Sequence, residues 1–298
     1  FAAQGVIAGA YDLVVAGGVE MMSRTPMKSN RQGRDNLGPM HHERYPDGLV
    51  GQGISAELIA AQWSLSRPDQ DRFALRSHQR AAAAEDRGDT GRDIVALAVP
   101  GPDGTVSQVD RDEGVRRDTS LDKLGGLAPA FEKPELLQRF PDIRWSVTAG
   151  NSSQVTDGAA ACLVAEEKTA QRLGLTPRAA ITGFAVTGDD PIMMLTGIIP
   201  ATRKLLHKTG LGLDQIDAFE VNEAFASVVL GWAKALDADM ERVNQDGGAI
   251  ALGHPVGASG GRLTANLLRT LERTGGRYGL QTMCESGGMA NATLFERL

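Results

Sequence analysis

Cysteine is scarce in this chain: Cys162 and Cys284 are the two in 298 residues. So sparse a pair cannot frame a disulfide scaffold, and it points to a reducing, cytoplasmic compartment. Positive charge is not in excess either. The 31 Lys and Arg stand against 37 Asp and Glu, giving a net charge of −6 and no basic face for nucleic acid. Apolar runs of bilayer length are missing, so no membrane span is expected. An initiator Met is also missing: the chain opens on Phe1 inside what reads as a helix, and it is expected to be N-terminally incomplete. No targeting peptide is visible. With 42% hydrophobic and 23% charged residues, what remains is an ordinary globular composition, large enough for two or three domains.

What the chain does have is a glycine-dense stretch, Gly247-Gly248-Ala249-Ile250-Ala251-Leu252-Gly253-His254-Pro255-Val256-Gly257-Ala258-Ser259-Gly260-Gly261, running into a helical apolar repeat from Leu263 to Leu271. Glycine at this density permits positive φ and close approach of another group. A helix starting just behind it offers free N–H groups to an anion or oxyanion. His254, in its middle, is suited to act as base or hydrogen-bond donor. Taken alone, the block reads equally as a tight turn with a packed histidine.

Two more segments have matching character. Val221-Asn222-Glu223-Ala224-Phe225-Ala226 follows a strand-like Ile216–Glu220, and Met283-Cys284-Glu285-Ser286-Gly287-Gly288 follows a strand-like Tyr278–Thr282. Each puts a reactive group where a strand gives way to a loop, which is where open α/β sheets build their sites. The three are spaced by about one strand–helix unit.

Together these blocks resemble the three C-terminal signatures of the thiolases, the acetyl-CoA acetyltransferases and 3-ketoacyl-CoA thiolases. The likeness runs from Phe1 to Leu298. It implies a layered α-β-α-β-α fold, an α/β architecture whose first core half is incomplete here. The implied domains are residues 1–27 with 154–188 for the N-terminal core, 28–153 for an inserted loop domain that binds CoA, and 189–298 for the C-terminal core. An incomplete first half should leave a large apolar face uncovered. The resemblance also implies a nucleophilic cysteine in a block upstream of Phe1, since neither Cys162 nor Cys284 stands in its place.

The implied reaction is thiolysis of a 3-ketoacyl-CoA by CoA, or the reverse Claisen condensation. Such chemistry needs a nucleophile, an oxyanion site and a proton donor for the departing carbanion. By the resemblance, His254 activates the nucleophile and donates to a thioester oxygen, Cys284 is the second acid/base, and Asn222 positions a water beside His254. The backbone N–H at Ser286 serves a second oxyanion, provided that φ there is not positive. CoA contacts fall to Ser153, Arg116, Lys123, Phe225 and Ala149. CoA enters as substrate, no resident cofactor or metal is expected, and the assembly is expected to be a homodimer or homotetramer. His41-His42 lacks a convincingly spaced third ligand. An alternative is a non-catalytic thiolase-like subunit binding acyl-CoA or sterol. The condensing enzymes of fatty-acid synthesis, which use two histidines or His/Asn instead of Cys284, fit less well.

Elsewhere, Asp12–Gly18 reads as a strand buried on both faces, and residues 30–46 as loop. Helices are expected at 55–61 and 69–85, the second opened by Ser66-Arg67-Pro68-Asp69 and carrying a solvated His78. Residues 94–99 and 105–109 read as two strands joined by a turn over 101–104. Residues 157–164 read as a buried strand with Cys162 in the core, and 179–186 as a strand returning to the first half. Three departures from the family stand out, the first being Ser286, preceded by Glu285, where thiolases commonly show glycine. Asp246 replaces a usual Asn, and Gly51-Gln52 replaces a His-Met pair of the biosynthetic enzymes, which leans towards a degradative enzyme with bulkier acyl groups.

Overall fold

A computed structural model describes residues 1–35, 37–101 and 103–298. In chain order its elements are α1 (Ala2–Ile7), β1 (Leu13–Met21), α2 (Pro39–Arg44), α3 (Gln52–Gln62), α4 (Arg67–Asp86), β2 (Leu97–Pro100), β3 (Val106–Val109), α5 (Leu121–Gly125), β4 (Asp157–Ala165), α6 (Glu167–Arg172), β5 (Ala179–Gly188), α7 (Ile198–Thr209), β6 (Ala218–Val221), α8 (Ala226–Leu236), α9 (Ala249–Leu252), α10 (Ser259–Thr274), β7 (Tyr278–Cys284) and β8 (Met289–Arg297).

The main sheet has the order β5-β8-β7-β6. β6 runs parallel to β7, while β8 is antiparallel to both β7 and β5. Alternation of side chains divides this sheet between two helix layers. Phe219, Val221, Leu280 and Leu294 join α7 and α8 in the largest core cluster, where Phe219 meets Trp232 edge-on at 5.3 Å. The indole N–H of Trp232 is satisfied by Thr202 Oγ1 at 3.0 Å. On the opposite face Ala218 and Phe295 pack against Leu267 and Leu271 of α10. Leu263, Leu267 and Leu271 recur every fourth residue and are fully buried, so one apolar stripe fixes how α10 lies. The other side of α10 meets the antiparallel β1–β4 ribbon. Ribbon, helix, sheet and helices thus stack as layers, as expected of the α/β architecture.

Several expectations fail for physical reasons. β5 does not return to the first half: once β7 and β8 form a hairpin, the outer edge of β8 is free and β5 takes it, from Ala179 opposite Arg297 to Gly188 opposite Met289. β1 is not buried on both faces. Its exposure alternates along the strand, and so does that of β4, because α10 covers one face of the ribbon only. Val15, Val19, Met21 and Leu163 are exposed on these two strands. For the same reason Cys162 is half-buried and not a core residue.

Residues 30–46 are not loop throughout, since Pro39 at the first helical position starts the short α2. Asn36 and Pro102, within the loop and turn expectations, lie outside the described residues. The opening of α4 is as read. Ser66 and Asp69 form a reciprocal capping box, with Ser66 N–H donating to Asp69 at 2.9 Å.

Candidate active site

The parallel β6–β7 pair brings two of the sequence signals to one sheet edge. Val221 lies opposite Thr282, and the N–H of Asn222 donates to the carbonyl of Thr282 at 3.1 Å. Asn222 and Cys284 therefore leave the same end of neighbouring strands. Asn244 holds the end of β6 from the far side: its amide accepts from Val221 N–H at 2.9 Å and donates to Val221 O at 2.8 Å. It also donates to Glu223 at 2.9 Å.

Glu223 is a buried tie. Its carboxylate accepts from Ser77 Oγ of α4 (2.7 Å) and from Ile250 N–H of α9 (3.1 Å). Burial pushes its pKa up, against which these hydrogen bonds act. The glutamate of the Asn-Glu-Ala-Phe block thus joins the sheet edge, α4 and the glycine-dense segment.

That segment forms α9, a turn and α10. Gly253 ends α9 at φ +88°, and a Cβ there would run into Thr156, so no other residue fits. His254 follows, and its N–H donates to Gln154 O at 3.0 Å. Its Nε2 lies 3.4 Å from Asn222 Nδ2 and its Nδ1 2.6 Å from Ser259 Oγ. Burial, and then the Arg262 guanidinium, press its pKa down to about 4. The ring is neutral at pH 7. Among the described residues no protein group donates to the buried Asn222 Oδ1.

Cys284 is half-buried at the end of β7 and makes no hydrogen bond to His254 or Asn222 among the described residues. Burial pushes its thiol up to about 12, so it rests protonated. In the following turn Glu285 N–H donates to Met289 O at 2.8 Å. Positive φ falls on Gly287 and Gly288 and not on Ser286, which meets the condition for an outward N–H at Ser286.

Beside this edge lies a cavity of about 230 Å³, lined by Arg116, Lys123, Ala149, Gln154, His78 and Ile250 among others. Three of the expected CoA residues, Arg116, Lys123 and Ala149, share it. Lys123 is partly committed, donating to Asp118 O at 2.8 Å and pairing with the Asp118 carboxylate. Ser153 and Phe225 do not line it. They lie next to each other at the Asn-Glu-Ala-Phe block, with Ser153 N–H donating to Ala224 O at 3.0 Å and Ser152 bridging Phe225.

His78 corrects the reading of a solvated helix residue. It is buried, its Nδ1 accepts from Arg116 N–H at 3.1 Å, and burial together with Arg116 lowers its pKa to about 4. Sequence reasoning missed it because the contact joins α4 to a loop 38 residues away. Gln154 was missed too, although it stands next to Ser153. The Asp246 departure has a clear setting. Its fully buried carboxylate pairs with Arg87 (2.7 Å), Arg269 (3.2 Å) and Arg273 (3.1 Å).

Comparison with known proteins gives the family. The profile of the thiolase N-terminal domain matches residues 1–168, and that of the thiolase C-terminal domain residues 175–297. The chain belongs to the thiolase family. Over its whole length this thiolase is 45% identical to the steroid 3-ketoacyl-CoA thiolase FadA6 of Mycobacterium tuberculosis, covering 71% of that protein. It is 43% identical to the acetyl-CoA acetyltransferase of Chromobacterium violaceum, with 99% of this chain and 75% of that one covered. The crystal structure of human mitochondrial 3-ketoacyl-CoA thiolase superposes on the thiolase with a TM-score of 0.84 at 36% identity, covering 99% of this chain and 74% of the human one.

Proposed function

We propose that this thiolase is an acyl-CoA C-acyltransferase that cleaves 3-ketoacyl-CoA with CoA, or runs the reverse condensation, using the Asn222–His254–Cys284 edge. The observation that carries the reading is the neutral imidazole of His254, 3.4 Å from the Asn222 amide, on the sheet edge that also ends in a protonated thiol. As the resemblance implies, the acyl group is carried by a cysteine preceding Phe1 in the family's order.

In the cleavage direction, His254 Nε2 takes the proton of that nucleophile, and the sulfur attacks the 3-keto carbon. Nε2–H then faces a thioester oxygen, joined by a water held at Asn222 Oδ1. As the carbon–carbon bond breaks, Cys284 gives its proton to the departing acetyl-CoA carbanion. A thiol held protonated by burial is suited to that step. The Cys284 thiolate next takes the proton of the incoming CoA thiol, CoA lifts the acyl group from the enzyme, and His254 returns its proton to the freed nucleophile. Protons balance over the cycle.

CoA is a substrate here and no resident cofactor is invoked. Arg116 and Lys123 offer cations to its phosphates in the cavity, and Ser153 and Phe225, neighbours at the Asn-Glu-Ala-Phe block, are the remaining contacts that this reading gives to CoA. Substitution of Gly51-Gln52 for the His-Met pair supports degradation of bulkier acyl groups. The assembly is a cytoplasmic homodimer or homotetramer in this reading. No helix among the described residues is long and apolar enough to cross a membrane.

The test is release of acetyl-CoA from acetoacetyl-CoA and CoA by the natively expressed protein. Turnover that is lost in Cys284→Ser and His254→Ala supports the reading. Tight acyl-CoA binding without any turnover overturns it in favour of a binding subunit.

A further inference from the structure

Ser259 Oγ lies between two partners. It is 2.6 Å from His254 Nδ1 and 2.9 Å from the carbonyl oxygen of Pro255. A hydroxyl has one proton, and a carbonyl oxygen can only accept. If the proton went to Nδ1, two oxygens would face each other 2.9 Å apart with nothing between them. With the proton on the Pro255 side, Oγ accepts from an Nδ1–H and both contacts are satisfied. The second ring nitrogen is compatible with this: Asn222 places its Nδ2, a donor, 3.4 Å from Nε2, a contact that suits a bare Nε2.

The geometry points to Ser259 as a positioning residue that holds His254 as the Nδ1–H tautomer, leaving Nε2 as the bare nitrogen. This rests on His254 being the base of the proposed reaction and adds the reason why Nε2 is the atom that takes the proton. Ser259 is fully buried at the start of α10, and Pro255 O also accepts its backbone N–H at 2.9 Å, so the hydroxyl has little freedom to rotate away. A neutral hydroxyl stands where many catalytic histidines have a carboxylate. It orients the ring without adding negative charge that would hold an imidazolium. Among the described residues the charge that bears on the ring is that of Arg262, from the next turn of α10, and it too disfavours the cation. After proton transfer, the imidazolium Nδ1–H keeps the same Ser259 acceptor, so no reorientation is needed during turnover.

The experiment is nitrogen NMR of the native protein with 15N-labelled histidine at pH 7, with His254 signals identified by their loss in His254→Asn. We expect a protonated Nδ1 and a bare Nε2. In Ser259→Ala the ring should shift to Nε2–H or to a mixture. There kcat should fall about tenfold or more while KM for CoA stays within twofold, and Ser259→Thr should restore both tautomer and rate. A resting Nε2–H in the unmodified protein overturns the proposal, and so does an unchanged tautomer in Ser259→Ala. If Ser259→Ala does not fold, the spectra of the unmodified and Thr proteins decide. A protein with the Nδ1–H tautomer but without thiolysis would support the assignment and overturn the functional reading, so the two failures are distinct.

Discussion

Gln154 and His254 are bound end to end: the carbonyl of Gln154 accepts the backbone N–H of His254 at 3.0 Å, while the side-chain amide of Gln154 donates to Gly114 O and Ile250 O, both at 2.9 Å. One residue thus fixes the imidazole's backbone and closes the wall of the neighbouring cavity. Gln154→Ala keeps the carbonyl that holds His254 and removes only the amide at the cavity wall, so KM for CoA should rise a few-fold with kcat little changed. Steady-state kinetics in which kcat falls while KM stays unchanged would contradict this division between carbonyl and amide.

Cys284→Ser keeps the shape of the β7 terminus but replaces the thiol with a hydroxyl, a far weaker acid. Acetoacetyl-CoA cleavage should fall by about 10²–10⁴, the range for losing a positioned acid/base. Acyl-CoA binding, measured by calorimetry, should be little changed. Undiminished turnover would remove Cys284 from the mechanism.

The base form of His254 is what the reaction needs. Its pKa is lowered to about 4, first by burial and then by Arg262, so the imidazole stays neutral well below the usual histidine range. The acid limb of kcat/KM should therefore lie below pH 5. Removing the repelling charge in Arg262→Gln makes the cation easier to form, so that limb should move to higher pH. A limb that stays in place or moves down would show that Arg262 does not act on the ring.

Arg116 is exposed at the cavity and makes no side-chain ion pair among the described residues, whereas Lys123 is held by Asp118. Arg116→Ala should thus raise KM for CoA several-fold, and more than Lys123→Ala does. The Arg116 effect should shrink as salt is raised, since phosphate attraction is screened. Equal effects at all ionic strengths would exclude a phosphate contact.

Asp246 neutralises three arginines from inside the protein. Asp246→Asn preserves shape and removes the charge, leaving Arg87 its pair with Asp89 and Arg269 its pair with Asp93. Because those pairs persist, the loss should stay below the roughly 3–5 kcal/mol of a fully orphaned buried charge. Urea unfolding should show it as a lower midpoint, with the thiolysis rate per folded molecule near normal. An unchanged midpoint would mean that water or other carboxylates already satisfy the arginines.

Local signals made part of this architecture legible. Asn222, His254 and Cys284 each follow a recognisable strand or glycine-dense turn, and the stripe Leu263, Leu267, Leu271 announces α10. The capping box at Ser66 and Asp69 is local as well. What was not legible depends on partners far along the chain. The pattern of β5 fits either sheet, and only the free edge of β8 decides. The apolar run of β1 looks the same whether one face or both are covered. His78 sits on a helix of ordinary polar composition, and its burial is set by the loop at Arg116. Ser259 reads as one more small residue in the glycine-dense block, although its hydroxyl lies against the imidazole.

The turn that carries the imidazole also leans on the β1–β4 ribbon. Glu20 of β1 accepts the N–H of Gly257 at 3.1 Å, and Gly18 lacks the Cβ that would collide with Gly257 O. Flexing of that ribbon is therefore felt three residues from His254. Whatever braces its open side also stiffens the reaction centre, so mechanical support and chemical competence are one property in this protein.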